Sequence, residues 1–121
     1  MELLYKNLNR YFKNRSKVTV EMISGSKTTN KDIVEIGLGS IGKIKIMKAL
    51  AEEARMITIY TLHKKTHLKR EDIKRNLDDL RKIGWVNESK LANIMYSINR
   101  ENEFVNRLTA FFIDVGYIDQ Q

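Results

Sequence analysis

A chain of 121 residues with a formal net charge of +7 and no cysteine has room for one main hydrophobic core, and excludes disulfides, thiolate metal sites and thiol catalysis together. No apolar run approaches the roughly 20 residues of a membrane span, and the start, Met1-Glu-Leu-Leu-Tyr-Lys6, lacks the basic segment and cleavage site of a signal peptide, so a cytoplasmic protein is expected. Cations outnumber anions by seven to four over residues 1–39 and thirteen to seven over 40–99, but fall to two against four over 100–121. An anionic partner is therefore expected at the middle of the chain and not at its C-terminal end.

Residues 2–14 place Leu4, Leu8, Tyr11 and Phe12 on one face, which predicts a short amphipathic helix. Lys17-Val-Thr-Val-Glu-Met-Ile23 is β-branched and partly alternating and runs into Ser24-Gly-Ser-Lys27, a strand followed by a turn. Thr28 to Ile36 is expected to form a second short helix capped by Thr29 or Asn30 and broken by Gly37-Leu-Gly39. The three glycines of Gly37-Leu-Gly-Ser-Ile-Gly42 match a phosphate-loop string by count alone, without the following βαβ unit that such a loop needs.

Ser40 is a good N-cap for a helix in which Ile44, Met47, Leu50, Ala51 and Ala54 recur at helical spacing while Lys43, Lys45 and Lys48 face away. Thr58 caps the next helix, whose Ile59 and Leu62 face the core. A third helix runs from about Lys69 to Ile83 with Ile73, Leu77 and Leu80 as its buried stripe, and Gly84 ends it in a left-handed cap. Trp85-Val86 and Met95-Tyr-Ser-Ile98 read as two strands joined by the polar tip Asn87 to Asn93. Asn99 or Asn102 then caps a last helix whose Phe104, Leu108, Phe111 and Val115 follow at spacings of four, three and four, with Val105 and Phe112 widening the stripe.

Three helices followed by a strand pair are the order of a winged helix-turn-helix, which lays one helix in a DNA major groove and touches flanking phosphates with its hairpin. The expected class is thus mainly α with a small β wing (α+β), a winged helix-turn-helix with extra N- and C-terminal helices. Residues 1–38 form the N-terminal extension, 39–99 the DNA-binding domain, and 100–121 a C-terminal dimerisation helix.

Three stretches carry a family resemblance: Gly39 to Glu53, Thr58 to Val86, and Tyr96 to Phe112. They resemble the small archaeal winged helix-turn-helix transcription regulators, in a plan close to the ArsR-like type. The resemblance implies a sequence-specific transcription regulator, expected to be nucleoid-associated; the apolar C-terminal stripe adds the expectation of a homodimer, no cofactor follows from the sequence, and no membrane partner is expected. Two departures stand out. His67 occupies a turn position that is commonly glycine, and His63 a helix position that is commonly small; the metal-sensing cysteines of the ArsR type are absent. Histidine tolerates the left-handed region better than most residues, so the turn can survive.

The expected DNA contacts are Thr58, His67, Lys69, Arg70, Lys74 and Arg75 in the helix pair and Lys90 and Asn93 at the wing tip. Arginine on the third helix can make two hydrogen bonds to a guanine edge, while lysine more often finds phosphate. The plainer alternative is a solvated face on which Glu71 and Arg75 pair at i and i+4. His63 and His67 share the spacing of a two-histidine metal pair without a third ligand nearby, so turn packing or a phosphate contact is the better expectation. The carboxylates are scattered and no acid–base pair can be named, so no enzymatic role is expected. The stripes Leu4, Leu8, Tyr11, Phe12 and Phe104, Leu108, Phe111, Phe112 are expected to pack together at a dimer interface. A nonspecific architectural DNA-binding protein and a winged-helix protein-interaction module are the competing readings.

Overall fold

The computed structural model of the chain describes residues 29–119. The helix expected over 2–14, with Leu4, Leu8, Tyr11 and Phe12, and the strand expected over 17–23 lie outside the described residues. The chain divides between Glu35 and Ile36 into two units. In the described part of the first, Thr29 caps helix α1 (Asn30–Gly37) through a reciprocal pair of bonds: its hydroxyl accepts from the Asp32 N–H at 3.2 Å, and the Asp32 carboxylate accepts from the Thr29 N–H at 3.2 Å. Two orphan donors are satisfied at once.

The second unit holds α2 (Ile41–Ala51), α3 (Ile59–Thr66), α4 (Arg70–Lys82), the hairpin β1 (Val86–Ser89) and β2 (Met95–Ile98), and α5 (Glu103–Asp114). The described chain is therefore a mixed α/β arrangement of five helices and one two-stranded antiparallel sheet. Ser40, Thr58 and Asn102 cap α2, α3 and α5, each side chain accepting from the N–H three residues on. Helix α4 starts differently, since Lys69 at its N-cap supplies no side-chain acceptor.

Ile46, Met47 and Leu50 of α2, Leu62 of α3, Ile73, Leu77 and Leu80 of α4, and Val105 of α5 are almost fully buried. The stripe expected on α4 is the observed one. The hairpin closes this core with Val86 opposite Ile98, and with Tyr96 opposite Glu88. The first strand runs on to Ser89, beyond the expected Trp85-Val86, so the tip shrinks to residues 90–94. Ile57 also exchanges two backbone bonds with Tyr96, both 2.8 Å, which fixes the residue before the Thr58 cap against β2. Where α3 begins is thereby tied to the sheet.

Two expectations for α2 fail. Lys43 does not face away but is buried, with its Nζ 2.9 Å from the Asp79 carboxylate of α4. The cause is the close approach of the two helices at Gly42, where an added Cβ would lie 2.6 Å from Asn76 Nδ2. At that separation the lysine stem is covered and its charge must find a partner. Ala54, expected on the buried stripe, lies beyond the helix end and is exposed.

Trp85 joins the end of α4 to the hairpin. Gly84 takes φ +79, the left-handed value expected of it, and the Trp85 N–H then reaches the Leu80 carbonyl at 3.0 Å. The Trp85 carbonyl accepts from the Asn99 N–H at 2.9 Å, and the ring stacks on Phe104 with centroids 6.4 Å apart. The indole N–H has no hydrogen-bond partner among the described residues, although the side chain is buried, so packing and not polar bonding holds it. Gly37 lies against the six-membered ring so closely that a methyl group built on it would overlap ring carbons.

Gly37→Ala is therefore expected to destabilise the fold by about 1–3 kcal/mol, the usual cost of overpacking. Urea unfolding checks it, and the cost should shrink in a Trp85→Leu background, where the obstructing ring is gone. An unchanged midpoint for Gly37→Ala would contradict the packing described.

Candidate nucleic-acid interface

The turn between α3 and α4 is built from two side chains and one left-handed backbone position. The buried hydroxyl of Thr66 donates to the Leu62 carbonyl at 2.7 Å and accepts from the Leu68 N–H at 3.3 Å. His63 Nδ1 donates to the Leu68 carbonyl at 2.7 Å, since a carbonyl can only accept. His67, with φ +62, is the one non-glycine residue in the left-handed region among those described, and its N–H closes α3 on the His63 carbonyl at 2.9 Å. Both histidines thus serve the turn. Among the described residues no cluster of three or more metal-ligating side chains occurs.

This turn aims α4 with Lys69, Arg70, Glu71, Lys74 and Arg75 exposed. Helical geometry sorts these residues further, because positions four and seven apart share a face. Arg70, Lys74 and Arg81 lie on one all-cationic flank, whereas Glu71, Arg75, Asp78 and Lys82 form a crest of mixed charge opposite the buried stripe. Arg75 pairs with Asp72, not with Glu71. On the crest Asp78 is held below the ordinary carboxylate range, first by its hydrogen bond to Arg81 at 2.7 Å and then by Lys82 at 3.1 Å. Pairs as exposed as these are worth little and open readily to a competing partner. Thr58 is half-buried and its hydroxyl is used as the α3 cap, accepting from the Thr61 N–H at 3.2 Å.

Tyr60 was not among the residues anticipated. It is 52 % exposed, with Lys64 Nζ 5.1 Å and the Arg70 guanidinium 5.6 Å from its ring centroid. Lys64 follows at i+4 on α3, a spacing visible in the sequence; Arg70 arrives only because the turn folds α4 back. At the hairpin tip Lys90 and Asn93 are exposed, but Lys90 Nζ lies 3.6 Å from Glu88. Leu91 at the same tip is 97 % exposed.

The C-terminal stripe divides. Phe104 stacks on Trp85, and Phe112 is buried with the edge of Tyr117 against it at 5.0 Å between centroids. Phe111, at 57 % exposure, and Val115 face outward. With Leu38, Ile41, Ile44, Leu108 and Tyr117 they line an apolar groove of about 530 Å³ on the second unit. Of these, only Leu108 and Phe111 belong to the expected interface; Leu38, Ile41, Ile44, Val115 and Tyr117 do not. Among the described residues no helix is long and apolar enough to cross a membrane.

No protein-family model matches the chain, and neither a curated protein nor a solved structure is significantly similar to it. The resemblance to archaeal regulators rests on the sequence stretches quoted for it.

Tyr96 couples the hairpin to the end of α4. Burial, and then a hydrogen bond to Glu88 and its negative charge, push the phenol up to about 12. A phenol raised above its unfolded value near 10 keeps its proton longer in the folded chain. Stability is therefore unaffected by this group below pH 10 and falls as pH rises from 10 toward 12, because the phenol ionises more easily in the unfolded chain. Tyr96→Phe should flatten the fall in urea stability between pH 10 and 12; a fall as steep as that of the unmodified chain would remove Tyr96 as its source.

Proposed function

We propose that the chain is a winged helix-turn-helix DNA-binding protein acting as a transcription regulator, with α4 in the major groove and the β1–β2 hairpin as the wing. The observation that carries this reading is the surface of α4. Exposed cations and carboxylates alternate along its crest, a pure cationic flank runs beside it, and the His67 turn and the Lys43–Asp79 pair fix its direction. A groove-reading helix needs such a division, with polar groups of both signs for base edges and cations for phosphates.

The roles follow from position. Arg75 on the crest is the base-reading arginine, and its pairing with Asp72 is given up for a guanine edge. Lys69 and Lys74 reach phosphate, as does Lys90 at the wing tip, with Asn93 beside it. His67 stands exposed at the start of the interface, while Thr58 acts by setting where α3 starts. The protein works in the cytoplasm on the nucleoid and uses no cofactor. The carboxylates on the crest favour selective binding over the nonspecific architectural reading, since they repel a backbone that they cannot bond.

The acting species is a homodimer, seated on the groove between α2 and α5. An exposed row of Ile41, Phe111 and Val115 is costly to leave in water, and a second copy supplies the same apolar row by two-fold symmetry. Two copies of α4 then enter successive major grooves about one helical turn apart.

After selection of a preferred duplex from random DNA, Arg75→Ala should weaken binding to that site by about tenfold or more while leaving random duplex nearly unaffected. Fluorescence anisotropy measures both. Equal losses on the two DNAs would mean that α4 does not read bases. Ile41→Glu and Phe111→Glu should each give folded monomers by sedimentation, whose melting temperature no longer rises with protein concentration, and weaken the preferred site through loss of the linked second reader. A monomeric unmodified protein at about ten times the concentration used in binding would overturn the dimer.

A further inference from the structure

Every cation at the α3–α4 junction is exposed, but they are not equivalent. Lys65 lies 2.7 Å from Glu53, and Arg75 is paired with Asp72. Lys64 and Arg70 form no ion pair among the described residues; each is placed over the ring of Tyr60, 5.1 and 5.6 Å from its centroid. Two like charges drawn to one aromatic ring repel each other, and the ring's negative face offsets only part of that repulsion. An anion held between them removes the rest. Tyr60 comes from α3 and Arg70 from the first turn of α4, so the arrangement exists only when the helix pair is folded.

We propose that Tyr60, Lys64 and Arg70 form one phosphodiester-binding cluster, in which Lys64 and Arg70 contact a backbone phosphate of duplex DNA and Tyr60 is the residue that positions Arg70 for it. The ring takes up part of the conformational freedom that an exposed arginine would otherwise lose on binding. It also directs the guanidinium toward α3, along the cationic flank and away from the crest that carries Arg75. Arg70 accordingly contributes affinity on every sequence and no discrimination. This assignment rests on the DNA-binding reading above.

The test is a salt titration of binding by the full chain, on the selected duplex and on random duplex, for Tyr60→Leu, Tyr60→Phe, Arg70→Ala and the double variant Tyr60→Leu/Arg70→Ala. Tyr60→Leu should weaken both DNAs alike by about two- to fivefold, the range of an exposed cation–π contact. It should also make the dependence of affinity on salt shallower by up to about one unit, as loss of one phosphate contact does. Tyr60→Phe should match the unmodified protein, because the ring face is kept. The double variant should bind no worse than Arg70→Ala.

Tyr60 is half exposed and its replacement should leave the melting temperature in place. Lys64→Gln supplies the same salt readout should Tyr60→Leu lower it. Unchanged affinity and slope in Tyr60→Leu, additive losses in the double variant, or an Arg70→Ala loss confined to the selected duplex would each overturn the cluster while leaving the DNA-binding reading intact. An unmodified protein that binds neither duplex overturns both.

Discussion

The burial of Trp85 between the end of α4, the hairpin and α5 is the constraint on which the rest of the second unit depends. Its backbone closes α4 on Leu80 and opens the pairing with Asn99, while its ring occupies the space between Gly37 and Phe104. A helix and a hairpin joined by the three-residue corner Ile83-Gly84-Trp85 would otherwise hinge freely. With an indole buried at that corner, the angle between them is set by close packing, which tolerates displacement poorly. The indole N–H finds no hydrogen-bond partner among the described residues, so the packed ring area is what holds the corner.

A second set of contacts holds α4 along its length and at its N-terminal end. Gly42 lets α2 approach, Lys43 and Asp79 pair across the contact, and His63 with Thr66 locks the turn into α4. The helix is thereby held at both ends before any ligand arrives, which reduces the ordering cost that binding must meet. That rigidity gives the division of its surface into a mixed crest and a cationic flank a functional meaning under the proposed reading. A helix free to roll would present both to the same partner.

Much of the second unit was legible in the sequence because its signals are local. Ser40, Thr58 and Asn102 are caps by chemistry, Ile73, Leu77 and Leu80 repeat at helical spacing, and Gly84 marks the end of α4. The left-handed turn at His67 was also readable, as the residue's tolerance of that region anticipates. What escaped depends on contacts between elements. Lys43 looks like a solvated lysine until Gly42 brings α4 over it, and Tyr60 looks like an ordinary surface tyrosine until the turn delivers Arg70 to its ring. The aromatic stripe of α5 reads as one surface by periodicity, yet Phe104 and Phe112 are spent inside the chain while Phe111 and Val115 remain outside. A helical repeat identifies a face; only packing decides how much of it is covered.

The central claim, that the α3–α4 pair meets duplex DNA, is tested most directly by titrating the isotope-labelled full chain with the selected duplex and following backbone amides by NMR. The account predicts shifts concentrated at Tyr60, at His67 to Arg75 and at the tip around Lys90, with the amides of Leu77 and Leu80, farther along the buried α4 stripe, moving least. Shifts confined to the groove of Ile41, Phe111 and Val115, or no shifts at stoichiometric DNA in low salt, would contradict it.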